Sequence, residues 1–125
     1  MKIIRNIKPE FVDERGSITN ILPKDVNIAS ALLITSKAGS IRSNHYHKKD
    51  SHYCYIVSGK AEWNEKLVGG DKLESEIVGA GDMVYTPPMM IHAVKFLEDT
   101  IFWAFAVQPR DQDAYEEDTI KHKLF

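Results

Sequence analysis

Four of the five histidines in this 125-residue chain fall into one pattern. His45, His47 and His52 lie within Gly39-x5-His45-x-His47-x4-His52-x6-Gly59, and His92 closes Gly81-x5-Pro87-x4-His92. Residues two apart on a β-strand face the same way, so His45 and His47 can aim both imidazoles at one point. Together His45, His47, His52 and His92 are candidate ligands of a single metal ion. Four neutral imidazoles with no carboxylate leave the charge of a divalent ion uncompensated. Such a centre attracts an anionic or enolate-like ligand and polarises a carbonyl. All-nitrogen ligation suits zinc, nickel, copper or iron(II) and fits magnesium or calcium poorly. The expected cofactor is therefore a divalent transition metal, with zinc, nickel, iron and manganese left open. Two alternatives stand beside it: a metal that only braces the fold, and histidines that act as metal-free bases.

The elements that must position these side chains are short and β-rich. Expected strands run over 3–6, 17–22, 29–35, 40–47, 52–58, 60–64, 73–78, 82–86, 91–96 and 100–107, and no stretch has useful helical periodicity. Turn residues separate them, among them Gly69-Gly70-Asp71 and Gly79-Ala80-Gly81. About ten short strands at this spacing predict a double-sheet jelly roll. The acidic stretch from Gln112 to Asp118 predicts a turn of helix. If His52 faces the interior, so do Cys54 and Ile56, which puts Cys54 near the metal; a small buried hydrophobe is its plainer role. The run from Ile101 to Val107 lacks polar alternation, which predicts burial on both faces, one of them by a second subunit. With the apolar start Ile3-Ile4, this predicts a homodimer.

Composition excludes several partner classes. Hydrophobic content is 43%, charged content 27% and net charge −2, ordinary values for a globular domain. Nothing in that balance favours nucleic acid or an anionic membrane. No apolar run reaches the ~18 residues of a membrane span, and the segment MKIIRNIKPE lacks a signal peptide's apolar core. The single cysteine, Cys54, excludes an intrachain disulfide. The expectation is a cytoplasmic protein with a small-molecule substrate.

The two-part histidine spacing resembles the two-motif signature of the cupin superfamily, G-x5-H-x-H-x3–4-E-x6-G followed by G-x5-P-x-G-x2-H-x3-N. The chain matches the first motif except that His52 stands for Glu. In the second, Gly81, Pro87 and His92 match, while Met89 replaces Gly and Phe96 replaces Asn. The resemblance implies an all-β, single-domain cupin barrel, a small double-stranded β-helix or jelly roll over residues 1–125, with metal motifs at 39–59 and 81–96.

A second resemblance narrows the chemistry. Asp13-Glu14-Arg15-Gly16 and the run from Arg42 through Lys49 are similar to the D-x-R-G and R-G-x-H-x-H-K-K segments of dTDP-4-dehydrorhamnose 3,5-epimerases and dTDP-4-keto-sugar 3,4-ketoisomerases. The tail Pro109-Arg110-Asp111 with Tyr115-Glu116-Glu117-Asp118 echoes the ends of those chains. In those families the arginines hold the nucleotide diphosphate, and the first histidine of R-G-x-H removes a proton beside the 4-keto group. Carried over, Arg15 and Arg42 would bind diphosphate, and His45 with His47 would transfer the proton. Arginine forks suit diphosphate, and histidine supplies a base near neutrality. Where the epimerases place a tyrosine acid on a late strand, this chain has Trp103 and Phe105. Tyr85, Tyr46 and Tyr53 are the substitutes, and Tyr85 is taken as the candidate acid. Those enzymes generally work without a metal, and a histidine that binds an ion through its free nitrogen cannot also be the base.

Three functions follow. The first is a keto-sugar isomerase or epimerase, its substrate a sugar nucleotide on this resemblance, and it alone gives Arg15 and Arg42 a role. The second is a metal-dependent oxygenase or other small-acid cupin enzyme. The third is a non-catalytic cupin that holds a sugar or small acid.

Overall fold

The chain alternates β-branched and aromatic residues with Gly-, Asp- and Pro-containing turns, a pattern that favours many short strands over helices. In the computed structural model, which describes residues 1–125, it forms twelve strands and one helix. These are β1 (Lys2–Ile4), β2 (Phe11–Asp13), β3 (Gly16–Ile18), β4 (Ser30–Ser36), β5 (Ile41–His47), β6 (His52–Ser58) and β7 (Lys60–Leu67), followed by β8 (Glu74–Gly79), β9 (Met83–Thr86), β10 (Met90–Phe96), β11 (Thr100–Ala106), α1 (Gln112–Asp118) and β12 (Thr119–Lys121). The expected strands are all present, with ends moved by a few residues. Two three-residue strands, β2 and β12, are too short to give a periodic signal.

Two five-stranded sheets face each other. Their orders are β1-β9-β6-β11-β4 and β12-β5-β10-β7-β8, every pairing antiparallel, and β2 with β3 forms a separate hairpin. The architecture is the expected jelly roll. Inward side chains from both sheets interlock: Trp63 meets Phe102 edge-on at 6.2 Å, and Phe102 stacks on Phe96 at 5.7 Å. Ile56, Val78, Val84 and Val94 fill the space around them. Each such side chain contributes about 1.5–3 kcal/mol when fully buried.

Strand β6 shows how the alternation works. His52, Cys54 and Ile56 are buried, and Tyr53 and Tyr55 lie on the opposite face. Strand β11 corrects an expectation. It too alternates: Phe102, Ala104 and Ala106 are buried inside, while Ile101, Trp103 and Phe105 lie outside. Its outer face joins Leu33, Tyr53 and Tyr55 through strand pairing, so the sheet carries an aromatic outer surface that the chain itself does not fully cover.

Gly59, which closes the first histidine motif, turns the chain from β6 into β7 with φ +101°. A Cβ there would lie 2.4 Å from Thr100 Oγ1 and 2.5 Å from the Asp99 carbonyl oxygen. Neither the backbone angle nor the space admits a side chain. We expect Gly59→Ala to destabilise the fold by about 2–4 kcal/mol. Thermal or denaturant unfolding of the two proteins measures this directly, and equal midpoints would contradict it.

Candidate functional site

The histidines come together because β5 and β10 are neighbours in one sheet and β6 lies in the other. His45 pairs directly with His92 across the β5–β10 ladder. His45 and His47 share a face, as their spacing predicts, with ring centroids 4.8 Å apart. His92 lies 4.7 Å from His45 and 5.7 Å from His47, and His52 reaches in from the facing sheet to 5.0 Å from His92. The donor atoms of His45, His47 and His92 all lie within 4.8 Å of one another. His52 stands outside that set and joins it through His92, their Nε2 atoms 3.3 Å apart.

Two irregularities make this geometry possible. Between His45 and Ser43 the ladder skips Asn44, a bulge in which Ser43 and Asn44 take φ of 74° and 55°. The Asn44 side chain then ties down the tail: its Oδ1 accepts from Leu124 N and Phe125 N, and its Nδ2 donates to the Phe125 carbonyl. The other irregularity is Met89, at φ 65°, whose amide donates to the His47 carbonyl at 2.8 Å. Ser43 and Met89 stand where the resembled motifs carry glycine. The left-handed backbone is kept though the glycine is lost, a conformation costly for most other residues.

Neighbouring groups fix the ring orientations. His92 Nδ1 lies 3.0 Å from the Met90 carbonyl, which can only accept, so His92 donates from Nδ1 and turns a bare Nε2 toward His52. His52 Nδ1 lies 3.4 Å from Cys54 Sγ. His47 Nδ1 sits 3.2 Å from Thr119 Oγ1 and 3.8 Å from Asp118 Oδ2, while its buried Nε2 has no partner. Burial keeps all four rings neutral. It pulls His45 down to about 3 and His47 and His92 to about 4, and holds His52 well below the usual imidazole range. Neighbouring imidazoles and the Arg110 guanidinium add to the effect, and Asp118 opposes it at His47. Burial also pushes the Cys54 thiol up to about 12, so Cys54 is an inert small hydrophobe within van der Waals reach of the site.

The rings line a cavity of about 280 Å³ between the sheets. Its apolar wall comes from Leu32, Ile34, Val94, Phe102 and Ala104, and Trp63 adds a buried indole N–H without a partner. Arg42 reaches the lining, but its guanidinium donates to Ser36 Oγ at 2.7 Å and the Thr35 carbonyl at 3.0 Å. Two expected site residues are elsewhere. Arg15 is bound within its own hairpin to Asp13, and its side chain is 79% exposed. Tyr85 pairs with Tyr53, not with the inward His52, so its ring lies on the outer face against Tyr53 at 4.7 Å and beneath Lys2 Nζ. The parity of β9 thus removes Tyr85 as the acid of this cavity.

Three residues near the rings escaped sequence reasoning. Tyr115, on α1, lies 6.4 Å from His45 and 5.9 Å from His47 by ring centroids. Arg110 lies over the Tyr115 ring and is held by Asp50. Their only sequence signal was the likeness of the tail to ketoisomerase ends. Glu65 is buried opposite His92 on β7 and accepts from Thr86 Oγ1 at 3.1 Å. Burial raises its carboxyl to about 7, with the Thr86 hydrogen bond opposing.

Comparison with known proteins places the fold. The chain superposes on a double mutant of the 3,4-ketoisomerase QdtA from Thermoanaerobacterium thermosaccharolyticum, solved in complex with TDP, with TM-score 0.78 and 23% identity over 97% of this chain and 86% of that one. It also superposes on a 3,4-ketoisomerase from Helicobacter canadensis (TM-score 0.79, 18% identity, 96% of this chain and 89% of that one). The capsular polysaccharide assembling protein CapF from Staphylococcus aureus matches with TM-score 0.71 and 24% identity over 91% of this chain, which spans 32% of CapF. These likenesses are of fold: the neighbours share the double-sheet jelly roll expected of a cupin. No curated protein matches by sequence. The model of the polysaccharide biosynthesis C-terminal domain family matches residues 11–120, and the chain belongs to that family.

Proposed function

We propose that this protein isomerises or epimerises a keto-sugar carried on a nucleotide, with His45 as the base that moves a proton beside the carbonyl. The observation that carries this reading is the convergence of neutral imidazoles on one wall of a sugar-sized cavity whose opposite wall is apolar. Proton abstraction next to a carbonyl needs a base that is unprotonated and touches the substrate. His45 lines the cavity and is less buried than His47, His52 and His92. Its lowered affinity for a proton makes it weak in the empty cavity, and an anionic ligand alongside would raise that affinity. A volume near 280 Å³ is at the small end of ligand sites, so one sugar ring would enter and the nucleotide would lie outside. Solved ketoisomerases hold TDP and, in one case, TDP-4-keto-6-deoxyglucose, which supports the choice of substrate class. We expect His45→Asn to lower turnover of TDP-4-keto-6-deoxyglucose by about 10²–10⁴-fold while binding of TDP stays within a few fold. Wild-type activity in that variant would remove His45 as the base.

A second reading of the same rings rests on His47 Nε2, a buried nitrogen without a partner, and on the mutual closeness of three imidazole donors. Both fit a divalent transition metal held by His45, His47 and His92, with His52 as a fourth ligand after a small shift of its ring. Zinc, nickel, iron or manganese bound there would polarise a substrate carbonyl. His45 would then be a ligand, and the Tyr115 phenol beside it would be the group placed to hold the proton. Elemental analysis of protein purified without a histidine tag decides between them. The metal reading predicts near-stoichiometric ion that falls away in His92→Ala; a metal-free protein that turns over keto-sugar would contradict it.

The aromatic outer face of Leu33, Trp103, Phe105, Tyr53 and Tyr85 supports a homodimer that covers it. Light scattering should give twice the 14.2 kDa chain mass. A Trp103→Glu variant should shift the protein to monomer, and a monomeric wild type would refute the pairing.

A further inference from the structure

Beside the histidine cavity lies a smaller cleft of about 160 Å³, and the two share His47, Arg110 and Tyr115. Arg110 therefore faces both spaces. Its side chain is only 12% exposed, an unusual position for a guanidinium without full pairing. One edge is accounted for: Nε donates to Asp50 Oδ2 at 2.8 Å, and Asp50 is itself buried and fixed by the Gln108 amide at its other oxygen. The two terminal nitrogens meet no protein acceptor. Below them the Tyr115 ring lies 5.3 Å from the guanidinium carbon, which holds the plane in place.

The other arginines considered for the site are engaged differently. Arg15 turns Nε and Nη2 onto Asp13, and Arg42 spends Nε and Nη2 on Ser36 and Thr35. Arg110 alone among these three combines contact with the histidine cavity, a rigid anchor and a free terminal pair of donors. Two parallel N–H groups on a fixed plane match an oxyanion in bidentate geometry.

We propose that Arg110, anchored by Asp50, is the anion-binding group of this cavity and takes a ligand oxyanion between its terminal nitrogens. The identity of that anion rests on the keto-sugar reading: a phosphate oxygen of the nucleotide, or the enolate oxygen formed when His45 removes the proton. The site itself does not depend on it.

Titration calorimetry with inorganic pyrophosphate and with TDP, on wild type, Arg110→Gln and Arg110→Lys, tests this, alongside steady-state turnover of TDP-4-keto-6-deoxyglucose. If Arg110 holds phosphate, Arg110→Gln weakens both ligands at least about tenfold, and Arg110→Lys recovers part of the loss. If it holds the enolate, the two affinities stay put while kcat falls about a hundredfold or more at unchanged KM. Affinities and turnover both within about twofold of wild type in Arg110→Gln would overturn the proposal. Should Arg110→Gln unfold, Arg110→Lys carries the same comparison, because it keeps the charge and loses the fork. If wild type turns over no keto-sugar, Arg110-dependent pyrophosphate binding would still uphold the anion site while the keto-sugar reading fails. Absence of any Arg110-dependent binding in that case would remove both.

Discussion

The organisation of this molecule depends on keeping four imidazoles neutral and nearly dry between two sheets. A buried histidine can remain unprotonated far more cheaply than it can carry an unpaired charge. Three of the rings also have a polar neighbour that sets their orientation: the Met90 carbonyl for His92, the Cys54 thiol for His52, and the Thr119 hydroxyl for His47. The Arg110 charge reinforces neutrality at all four. Neutral rings are what both proton abstraction and metal ligation require, so the same desolvation serves either chemistry.

The sheets supply that environment by register. Direct pairing of His45 with His92 needs β5 to run next to β10, and the bulge at Ser43 and Asn44 brings the pair into alignment. The short β12 then seals the edge of β5, with Thr119 opposite His47 and Lys121 opposite His45. In this way the C-terminal segment closes one side of the cavity. Helix α1 leads into it, so Tyr115 and Arg110 are placed by the same stretch of chain that completes the sheet. Asp118 ties α1 to the turn between β5 and β6, since it accepts from Lys49 N and Asp50 N while facing His47.

Much of this was legible in the sequence because strand periodicity and histidine spacing are local signals. The parity of β6 followed from His52, Cys54 and Ile56, and the shared face of His45 and His47 from their separation by one residue. Parity across strands was not legible. Tyr85 looked like an available acid, yet its direction depends on pairing with Tyr53, thirty-two residues earlier, which no local pattern reveals. The apolar run of β11 looked buried on both faces, since aromatic residues serve equally in a core and on an outer surface. Strand β7 runs to Leu67, past the expected end at Asn64, because the charged Glu65 hides an inward position. Arg110 was missed as a site residue for a similar reason: its orientation comes from Asp50, far away in sequence and itself unremarkable there.

On the proposed function, the histidine-lined cavity moves a proton at the carbon beside a sugar carbonyl. Incubation of the protein with TDP-4-keto-6-deoxyglucose in deuterated water, followed by proton NMR, tests it most directly. Such proton transfer gives an isomer or epimer with deuterium at the carbon next to the carbonyl, and both are lost in His45→Asn. An unchanged substrate with its carbon-bound protons intact would contradict it.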